Sequence, residues 1–239
     1  MVGQVGDAGQ DAPGFLAVRQ AQAVLLLDRH RDLQRIERIE LQWRLRAEQQ
    51  PGKKLTESDL CRQMSCSRNT VRGALSLLAH DHIVDLQPNR GAFVHVPDAK
   101  ETKDVYELRI ALEEMVMDML LDLPDLPARL QPLYEMLEKE KTAFEQGDRV
   151  SWVRLVNAFH VELVRLLDNT VLLELMNSLC ARSSLMIAVF DKPVRNNGSY
   201  EEHKEILDLL SEGKRARVCK MMRRHLGGCQ ERLNQQFAG

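Results

Sequence analysis

The spacing of apolar and polar residues divides the chain into a front part of short elements and a back part of long helices. From residue 28 to residue 49, apolar side chains recur at helical intervals among arginines and glutamates, which predicts an amphipathic helix that Pro51 ends. The residues before it have no clear period and are rich in Gly, Gln, Asp and Ala. We therefore expect residues 1–27 to form a mobile N-terminal arm.

Two short helices and a hairpin follow. Thr56, with Asp59 three residues later, has the form of a capping box, in which both side chains bind amides of a helix's first turn. Ser67 is the predicted N-cap of a second short helix, with Val71 on its apolar stripe. The alternating runs IVDL and AFVHV, separated by a Pro-Asn-Arg-Gly turn, predict a β-hairpin. This order of elements is that of a winged helix-turn-helix domain, which we expect at residues 28–96.

Beyond Pro97 glycine becomes sparse and long helical patterns follow one another. Prolines, glycines and polar stretches separate these patterns, as helix stops do. The predicted helices cover residues 99–122, 127–146, 149–168, 170–190, 199–212 and 214–235. The sequence therefore predicts a mainly α protein, in which an all-α domain over residues 97–239 follows the winged helix-turn-helix domain.

Composition narrows the class of protein. With 44% hydrophobic and 28% charged residues, the 239-residue chain has the average make-up of a soluble globular protein. No apolar run approaches the roughly 20 residues that cross a bilayer, and no segment resembles a signal peptide. We therefore expect a cytoplasmic protein without a membrane partner. The five cysteines are scattered without a CxxC pair, which argues against a disulfide framework and a zinc ribbon.

The front part carries features of a DNA-binding domain. Residues 28–96 hold twelve basic against nine acidic residues, whereas residues 97–239 hold twenty against twenty-four. Basic and amide side chains cluster at the start of the second short helix, where a recognition helix meets base edges and phosphates. The candidate DNA contacts are Ser67, Arg68, Asn69, Thr70 and Arg72, with Arg90 at the hairpin tip. An isolated helix-turn-helix pattern also occurs in proteins that never touch DNA, and the pattern alone leaves that alternative open.

The segment over residues 51–94 resembles the winged-helix domain of GntR-type bacterial transcription regulators. The positions that match in register are Pro51, Gly52, Leu55, Ser67, Arg68, Val71, Arg72, Ala74, Leu75, Arg90, Gly91 and Val94. The resemblance implies that Ser67, Arg68 and Arg72 contact an operator and that Gly91, at the wing tip, approaches the minor groove. It also implies a homodimer on a palindromic site, with repression as the common behaviour.

A few positions depart from the family pattern. Ser58 replaces a frequent arginine, Gly73 replaces a glutamate, and Asn69-Thr70 stands where Thr-Pro is common. A glycine inside a helix costs about 1 kcal/mol relative to alanine. We expect these departures to change the preferred operator sequence rather than DNA binding itself.

Three histidines lie on predicted helices of the back domain, namely His160, His203 and His225. Neutral imidazole is a common ligand of zinc and nickel, and each helix can project one ring inward. The chain has no HExxH motif and no close histidine pair, so the spacing alone favours separate structural histidines. Core filling, rather than a sulfur-rich metal site, is expected of Met115, Met119, Met176 and Met186.

The segments FHVELVRLLDNTVLLELMNSL, EEHKEILDLL and MMRRHL resemble the ligand-binding domain of the FadR branch of the same family. That domain is an antiparallel helical bundle, here covering about residues 99–235. The resemblance implies a divalent metal, with zinc or nickel preferred, held by His160, His203 and His225, and a small carboxylate effector bound with its help. The family's fourth ligand stands four residues before the first histidine, where this chain has Val156, which cannot coordinate.

Three further residues are candidate effector contacts. Asn157 lies within i, i+3 reach of His160, but one position out of register with the family's ligand. By the resemblance, Arg109 faces the pocket and holds a carboxylate in a bidentate pair. The sequence also allows Arg109 to be a solvated surface arginine. Arg182 lies on a helix that lines the same pocket and is the weaker candidate.

These features predict a ligand-responsive, homodimeric transcription regulator that represses from a palindromic operator. One alternative is a DNA-binding dimer whose bundle has lost its metal and serves only for dimerisation, and Val156 favours it. The other is a metal-dependent helical enzyme. We expect no enzymatic activity, because no nucleophile with a base, phosphate loop or paired carboxylate accompanies the histidines.

Overall fold

The computed structural model describes residues 51–190 and 198–237. The predicted arm over residues 1–27 and the predicted helix over residues 28–49 lie outside the described residues. Within the described ranges the chain forms a small winged domain followed by long packed helices, as the sequence predicts.

The winged domain combines two short helices with a three-stranded sheet. Its elements are β1 (Lys54–Leu55), α1 (Glu57–Met64), α2 (Arg68–His80), β2 (Val84–Gln87) and β3 (Gly91–Val94). The strands are antiparallel in the order β1-β3-β2, with Leu55 opposite Ala92 and Val84 opposite Val94. All four side chains are buried and pack with the apolar stripe of α2, so the sheet and the second helix share one core.

The two helix starts differ in how they are capped. Ser67 caps α2 as predicted, because its hydroxyl accepts a hydrogen bond from the amide of Thr70 at 3.2 Å. Thr56 is the N-cap residue of α1, but its side chain makes no capping hydrogen bond. The predicted capping box is therefore wrong. Asp59 pairs with the guanidinium of Arg62 one turn along the helix instead.

The hairpin between β2 and β3 has the tight turn that the sequence predicts. The amide of Arg90 donates to the carbonyl of Gln87 at 3.1 Å. Asn89 and Gly91 have positive φ angles of 59° and 100°. Asparagine tolerates the first value, whereas the second is adopted readily only by glycine. Gly91 is therefore a conformational requirement of the wing tip.

Six helices follow in the described part of the chain, and their ends agree with the predicted ranges to within a few residues. They are α3 (Ala99–Leu120), α4 (Leu126–Glu145), α5 (Arg149–Arg165), α6 (Thr170–Phe190), α7 (Gly198–Ser211) and α8 (Arg215–Asn234). The helix α3 packs mainly against α8, α5 packs against α4 and α6, and α7 packs against α4 and α8. Their apolar faces meet in one shared core.

The core contains some of the residues expected there and omits others. Met176 and Met186 are fully buried, as predicted. Met115 and Met119 are not core residues, because 45% and 37% of their surfaces are exposed. Both lie on the outward face of α3, since the inward face is already filled by residues such as Val116.

The helix α6 is the most apolar of the described helices. It is long and apolar enough to cross a membrane by length and composition, with a mean hydropathy of 1.3. Half of that stretch is buried inside the protein, where Met176 and Leu179 pack. This burial is typical of the central helix of a globular core.

The two domains are joined by packing and by a histidine bridge. Ala181 and Leu185 of α6 pack into the core of the winged domain. His95, between β3 and α3, lies with Nδ1 2.9 Å from Asp85 of β2 and Nε2 2.7 Å from Glu101 of α3. The position of α3 is therefore coupled directly to the wing.

Candidate functional site: a histidine cluster and a basic face

Three histidines from three helices meet inside the bundle. His160 of α5, His203 of α7 and His225 of α8 are all buried. One ring nitrogen of each lies within 4.8 Å of the others. Phe159 stacks on the His203 ring with 4.0 Å between centroids, so the cluster has an apolar neighbour. The structure thus brings together the three residues predicted as metal ligands.

Each of the three rings is hydrogen-bonded through Nδ1 to a carboxylate from another helix. The pairs are His160 with Glu113 of α3, His203 with Glu140 of α4 at 2.9 Å, and His225 with Glu202 of α7 at 2.7 Å. A carboxylate accepts hydrogen bonds, so Nδ1 carries the hydrogen and Nε2 keeps its lone pair in the neutral form of each ring. This tautomer is the one that presents Nε2 to a metal.

The spacing of the free nitrogens fits a divalent ion. The Nε2 atoms of His203 and His225 are 3.2 Å apart. Two ligands of a tetrahedral zinc ion with bonds of about 2.1 Å lie ~3.4 Å from each other. A proton on one of these nitrogens or a metal cation between them satisfies this contact, because two unprotonated nitrogens at this distance repel each other. The donor type and the separation therefore both fit a zinc-like metal.

Burial favours the neutral form of His160 and His225. It lowers the pKa of His160 to about 3, against the opposing attraction of the Glu113 carboxylate. Burial also lowers the pKa of His225, although the hydrogen bond to Glu202 opposes the shift. Neutral imidazole is the form that binds a metal, so these two rings need not lose a proton to do so near pH 7.

Glu113 links the cluster to Arg109, one turn earlier on α3. The Nε atom of Arg109 donates to Glu113 at 2.8 Å, and both side chains are about 2% exposed. Burial opposes ionisation of Glu113, but its attraction to Arg109 prevails and lowers the carboxyl pKa to about 2. Arg109 is therefore a buried, paired residue and not a solvated surface arginine.

Part of the Arg109 guanidinium is left without a partner. Its Nη2 atom and the hydroxyl of Tyr106 are buried and have no hydrogen-bond acceptor or donor among the described residues. Buried donors without a partner are uncommon and call for a ligand or an ordered water. These two atoms lie on the same helix, three residues apart, and are suited to a carboxylate.

The position of the missing fourth ligand is filled by a core residue. Val156 lies one turn before His160 and is buried. The neighbouring Asn157 is buried too, and its amide donates to the carbonyl of Val153 on its own helix at 3.2 Å. The contacts of Asn157 are thus with the helix backbone, and its role toward an effector stays a prediction.

Arg182 lies at the junction between the domains. Its guanidinium is 3.7 Å from the carboxylate of Glu101. Together with His82 and Leu108, these residues line a cleft of about 380 Å³. The contacts of Arg182 are thus with the start of α3, while the histidines lie on α5, α7 and α8. Its assignment to the effector stays a prediction.

The candidate DNA contacts of the winged domain lie together on one surface. The residues at the start of α2 are Ser67, Arg68, Asn69, Thr70 and Arg72, of which only Thr70 is partly buried. The hydroxyls of Ser67 and Thr70 are 2.8 Å apart. Arg72 is engaged within the domain, since its Nε atom donates to Glu57 of α1 at 2.8 Å. Only its Nε atom is engaged in this way, and the Arg72 side chain is 64% exposed, so its other N–H groups can contact a base or a phosphate.

The wing adds further positive charge. Arg90 lies over the ring of Phe93, 5.5 Å from its centroid, and Lys54 of β1 lies 6.0 Å from the same centroid. Lys54, Arg72 and Arg90 line a groove of about 650 Å³ between α2 and the hairpin. Sequence reasoning missed Lys54, although the pair Lys53-Lys54 before a buried leucine was a visible signal.

The three glutamates of the histidine cluster were also missed. Glu113 follows Arg109 at the i, i+4 spacing of a helical ion pair, which is a readable signal. Glu202 precedes His203 in the chain but binds the histidine of the next helix. Glu140 left no signal, because its histidine partner is 63 residues away.

Comparison with known proteins agrees with this geometry. A sequence profile described as "Bacterial regulatory proteins, gntR family" matches residues 39–94, and one described as "FCD domain" matches residues 104–228. The gluconate operon transcriptional repressor of Bacillus subtilis (strain 168) is 30% identical over 159 residues, which are 66% of this chain and 63% of the repressor. The match therefore spans less than two thirds of that relative's length. An uncharacterized HTH-type transcriptional regulator of Streptomyces ambofaciens is 32% identical over 190 residues, 74% of each chain.

Solved structures show the same architecture. A GntR transcriptional regulator from Rhodococcus sp. RHA1 superposes with a TM-score of 0.71 at 26% identity, covering 84% of this chain and 97% of that one. E. coli McbR/YncC superposes with a TM-score of 0.75 at 20% identity, covering 86% and 98%, which supports the fold alone. These relatives are regulators and not enzymes. The chain is a member of the GntR family of bacterial regulatory proteins, with an FCD domain as its helical part.

Proposed function

We propose that this protein is a homodimeric DNA-binding repressor that holds a divalent metal in its helical domain and responds to a small carboxylate. The observation that carries the proposal is the convergence of His160, His203 and His225, each with Nδ1 on a carboxylate, inside a bundle joined to a basic winged domain. We further propose that residues 28–96 and 97–239 are the two functional domains and that the protein acts in the cytoplasm.

The DNA-binding step rests on the exposed start of α2 and on the wing. Arg68 and Asn69 are exposed where a recognition helix enters the major groove, and both side chains can form paired hydrogen bonds with a purine. Lys54 and Arg90 lie where the groove walls would meet phosphates. Gly91 at the wing tip has no side chain, so the backbone can approach a minor groove closely.

The dimer rests on an apolar surface formed by two packed helices. Residues spaced three and four apart put large side chains on the outward face of α3, and a similar spacing does so on α6. We call this surface the α3–α6 apolar face, and its exposed residues are Leu108, Met115, Met119, Val171 and Leu175. Contiguous apolar surface of this kind marks an interface. A second copy related by a twofold axis would bury it and would present two recognition helices to a palindrome.

The effector site rests on the metal and on Arg109. A metal held by three histidines keeps a coordination position open, and carboxylate oxygen is a suitable ligand for it. The unpartnered Nη2 of Arg109 and the hydroxyl of Tyr106 can bind a carboxylate as well. The name of the Bacillus subtilis relative refers to the gluconate operon, and gluconate is a hydroxycarboxylate. This supports the class of effector and not its identity.

The proposed coupling between effector binding and DNA binding rests on α3, which contacts both the histidine cluster and the junction with the wing. Glu113 of α3 contacts His160 and is paired with Arg109, and Glu101 at the start of α3 contacts His95 beside the wing. An effector that binds more tightly when α3 is in one position than in another would therefore shift the winged domains toward the arrangement that goes with that position. The size of this effect is limited to the difference in affinity between the two states.

Elemental analysis of the purified, untagged protein tests the proposal first. We expect about one divalent ion per chain, removed by chelation and absent from a His203→Ala variant. Operator binding, measured by fluorescence anisotropy with a palindrome selected from random DNA, is expected to weaken when gluconate is added to the metal-loaded protein. A His80→Ala variant is a matched control, because this exposed histidine lies outside the cluster.

A second candidate function is a DNA-binding dimer with a metal-free bundle, and the buried Val156 favours it. Under that reading no metal binds under any loading condition, and His203→Ala leaves operator affinity and its response to ligands unchanged. Retention of stoichiometric metal by the wild type excludes this reading.

A further inference from the structure

We propose that Glu113, Glu140 and Glu202 form a carboxylate shell around the histidine cluster that orients the three rings and balances the charge of the metal. The shell takes over the charge neutralisation that an acidic fourth ligand would supply at the position of Val156. This inference rests on the proposed metal site and assigns a role to three residues that do not touch the metal.

The first argument is geometric. Every one of the three histidines meets a carboxylate, and in every case through Nδ1. A hydrogen bond at Nδ1 fixes both the ring rotation and the tautomer, so Nε2 points at the metal before it binds. Two of these carboxylates are themselves held in place. Arg109 donates to Glu113 at 2.8 Å, and the Ser199 hydroxyl donates to Glu140 at 2.7 Å.

The second argument is electrostatic. Glu113 and Glu140 are buried, and Glu202 is partly buried. Arg109 pairs with Glu113, while the arginines that act on Glu202, Arg232 and Arg224, are exposed to solvent. Glu140 has no lysine or arginine partner among the described residues, so the three carboxylates outnumber the one buried guanidinium by two. Buried charge without compensation is costly, and one divalent ion supplies the balancing charge.

The third argument concerns which helices the shell connects. Glu113 joins α3 to α5, Glu140 joins α4 to α7, and Glu202 joins α7 to α8. The three hydrogen bonds therefore tie five of the six helices to the rings that hold the metal. Loading of the metal should stiffen the whole bundle, including α3, which continues from the wing.

Paired substitutions separate the orienting role from the charge role. Glutamine at each position keeps an oxygen that accepts from Nδ1 but removes the charge, whereas alanine removes both. We expect zinc to bind about 10-fold more weakly in Glu202→Gln and about 100-fold more weakly in Glu202→Ala, the range found for partners of metal ligands. Competition with a chromogenic chelator measures the affinity. The visible spectrum of the cobalt-loaded protein reports the ligand geometry, which we expect to change in the alanine variant.

Neighbouring glutamates provide the controls. Glu201→Gln is adjacent to Glu202 on α7 and exposed, and Glu114→Gln is adjacent to Glu113 on α3. Both should bind zinc as the wild type does. Glu202 is the first position to test because it is the least buried of the three, and circular dichroism shows that the variant is folded before the metal is added. The same glutamine and alanine variants at Glu113 and Glu140 extend the comparison.

The outcomes distinguish this inference from the metal site itself. The shell would be overturned if all glutamine and alanine variants bound zinc as the wild type does and showed an unchanged cobalt spectrum. If metal were still lost in His203→Ala, the metal site itself would remain supported. Wild-type affinity in the glutamine variants alone would overturn charge balancing. No metal in the wild-type protein would overturn the proposed function first.

Discussion

The Nε2 atoms of His203 and His225 face each other 3.2 Å apart, although the two residues lie on different helices. Each ring is turned this way by a carboxylate on its far nitrogen, Glu140 for the first and Glu202 for the second. With both nitrogens unprotonated they would offer two lone pairs to one cation, and a ring nitrogen of the third histidine lies within 4.8 Å of both. The bundle is thus arranged around a position that a metal ion would occupy.

Replacement of Val156 by aspartate should make the stability of the protein depend more strongly on metal than that of the wild type does. Val156 lies one turn before His160 on the same face, so the new carboxylate would reach the cluster. We expect Val156→Asp to lower the free energy of unfolding of the metal-free protein by about 3 kcal/mol, because an unpaired charge is buried. Zinc at about 100 times its Kd should restore ~2.7 kcal/mol. Urea unfolding with and without zinc measures both values.

The matched control for this experiment is Leu155→Asp. Leu155 is also buried on α5 but points about 140° away from His160 around the helix. Its aspartate variant should lose similar stability and recover no more with zinc than the wild type does. Equal recovery in both variants would contradict the assignment of Val156 to the position of the fourth ligand.

Removal of the Arg109 guanidinium should destabilise the bundle more than removal of an exposed arginine. Arg109→Met leaves the buried carboxylate of Glu113 without its cation, and the expected cost is about 3–5 kcal/mol. Arg223→Met is the control, because this exposed arginine of α8 pairs with Glu114, the neighbour of Glu113 on α3, and should cost under about 1 kcal/mol. Denaturant unfolding at one pH measures the difference. Similar costs for both variants would show that Glu113 does not depend on Arg109.

The bridge of His95 should make the junction between wing and bundle sensitive to pH. Hydrogen bonding to Glu101 raises the pKa of His95 against the effect of burial, and Asp85 adds to the increase. His82 meets the ring edge-on at 6.3 Å, and Arg182 lies beyond Glu101. Because the folded pKa is above the ordinary value of about 6.5, the stabilisation is complete below that pH and is lost as the pH rises through the folded pKa.

Thermal unfolding of wild type and His95→Gln tests this relationship. The wild type should be more stable than the variant at pH 6, and the gap should narrow as the pH rises to 9. A gap that is constant or that widens with pH would rule out the charged bridge.

A charge on the α3–α6 apolar face should separate the proposed dimer. Met115→Glu places a carboxylate in the middle of that face, where the partner copy would have to desolvate it. We expect a monomer in light scattering and at least about tenfold weaker binding to a palindrome, because two half-sites are no longer engaged together. Lys139→Glu on the exposed side of α4 is the control and should remain a dimer. Unchanged mass in Met115→Glu would place the dimer contact elsewhere.

The exposed residues at the start of α2 and on the wing should divide into those that read the base sequence and those that bind phosphate. Arg68→Ala is expected to cost about 1–3 kcal/mol on the operator and to relax the preference at one base position. Lys54→Ala should weaken binding to all sequences alike and lower the slope of log affinity against log salt by about 1 per site. Anisotropy titrations with operator and random DNA at several salt concentrations distinguish them. If Arg68→Ala weakened binding to all sequences alike and Lys54→Ala relaxed the base preference, the two residues would have the opposite roles.

Much of the fold was readable because it depends on local periodicity. The stops at proline and glycine predicted the helices of the bundle to within a few residues, and Ser67 predicted the start of α2. The Thr56 capping box failed because Asp59 lies within reach of Arg62 and a salt bridge competes with the cap. The methionines of α3 were placed in the core because the pattern alone does not say which apolar face has a partner within the chain.

The order of elements, the basic front domain and the identity of the three histidines follow from the sequence, since each of these depends on residue type and on spacing along one segment. Helix packing decided which carboxylate turns each ring, because Glu113, Glu140 and Glu202 come from other helices than their partners. It also decided that Arg109 is buried against Glu113. Hydrogen bonds between residues 23 to 63 positions apart are set by the packing of the helices, which no single segment specifies.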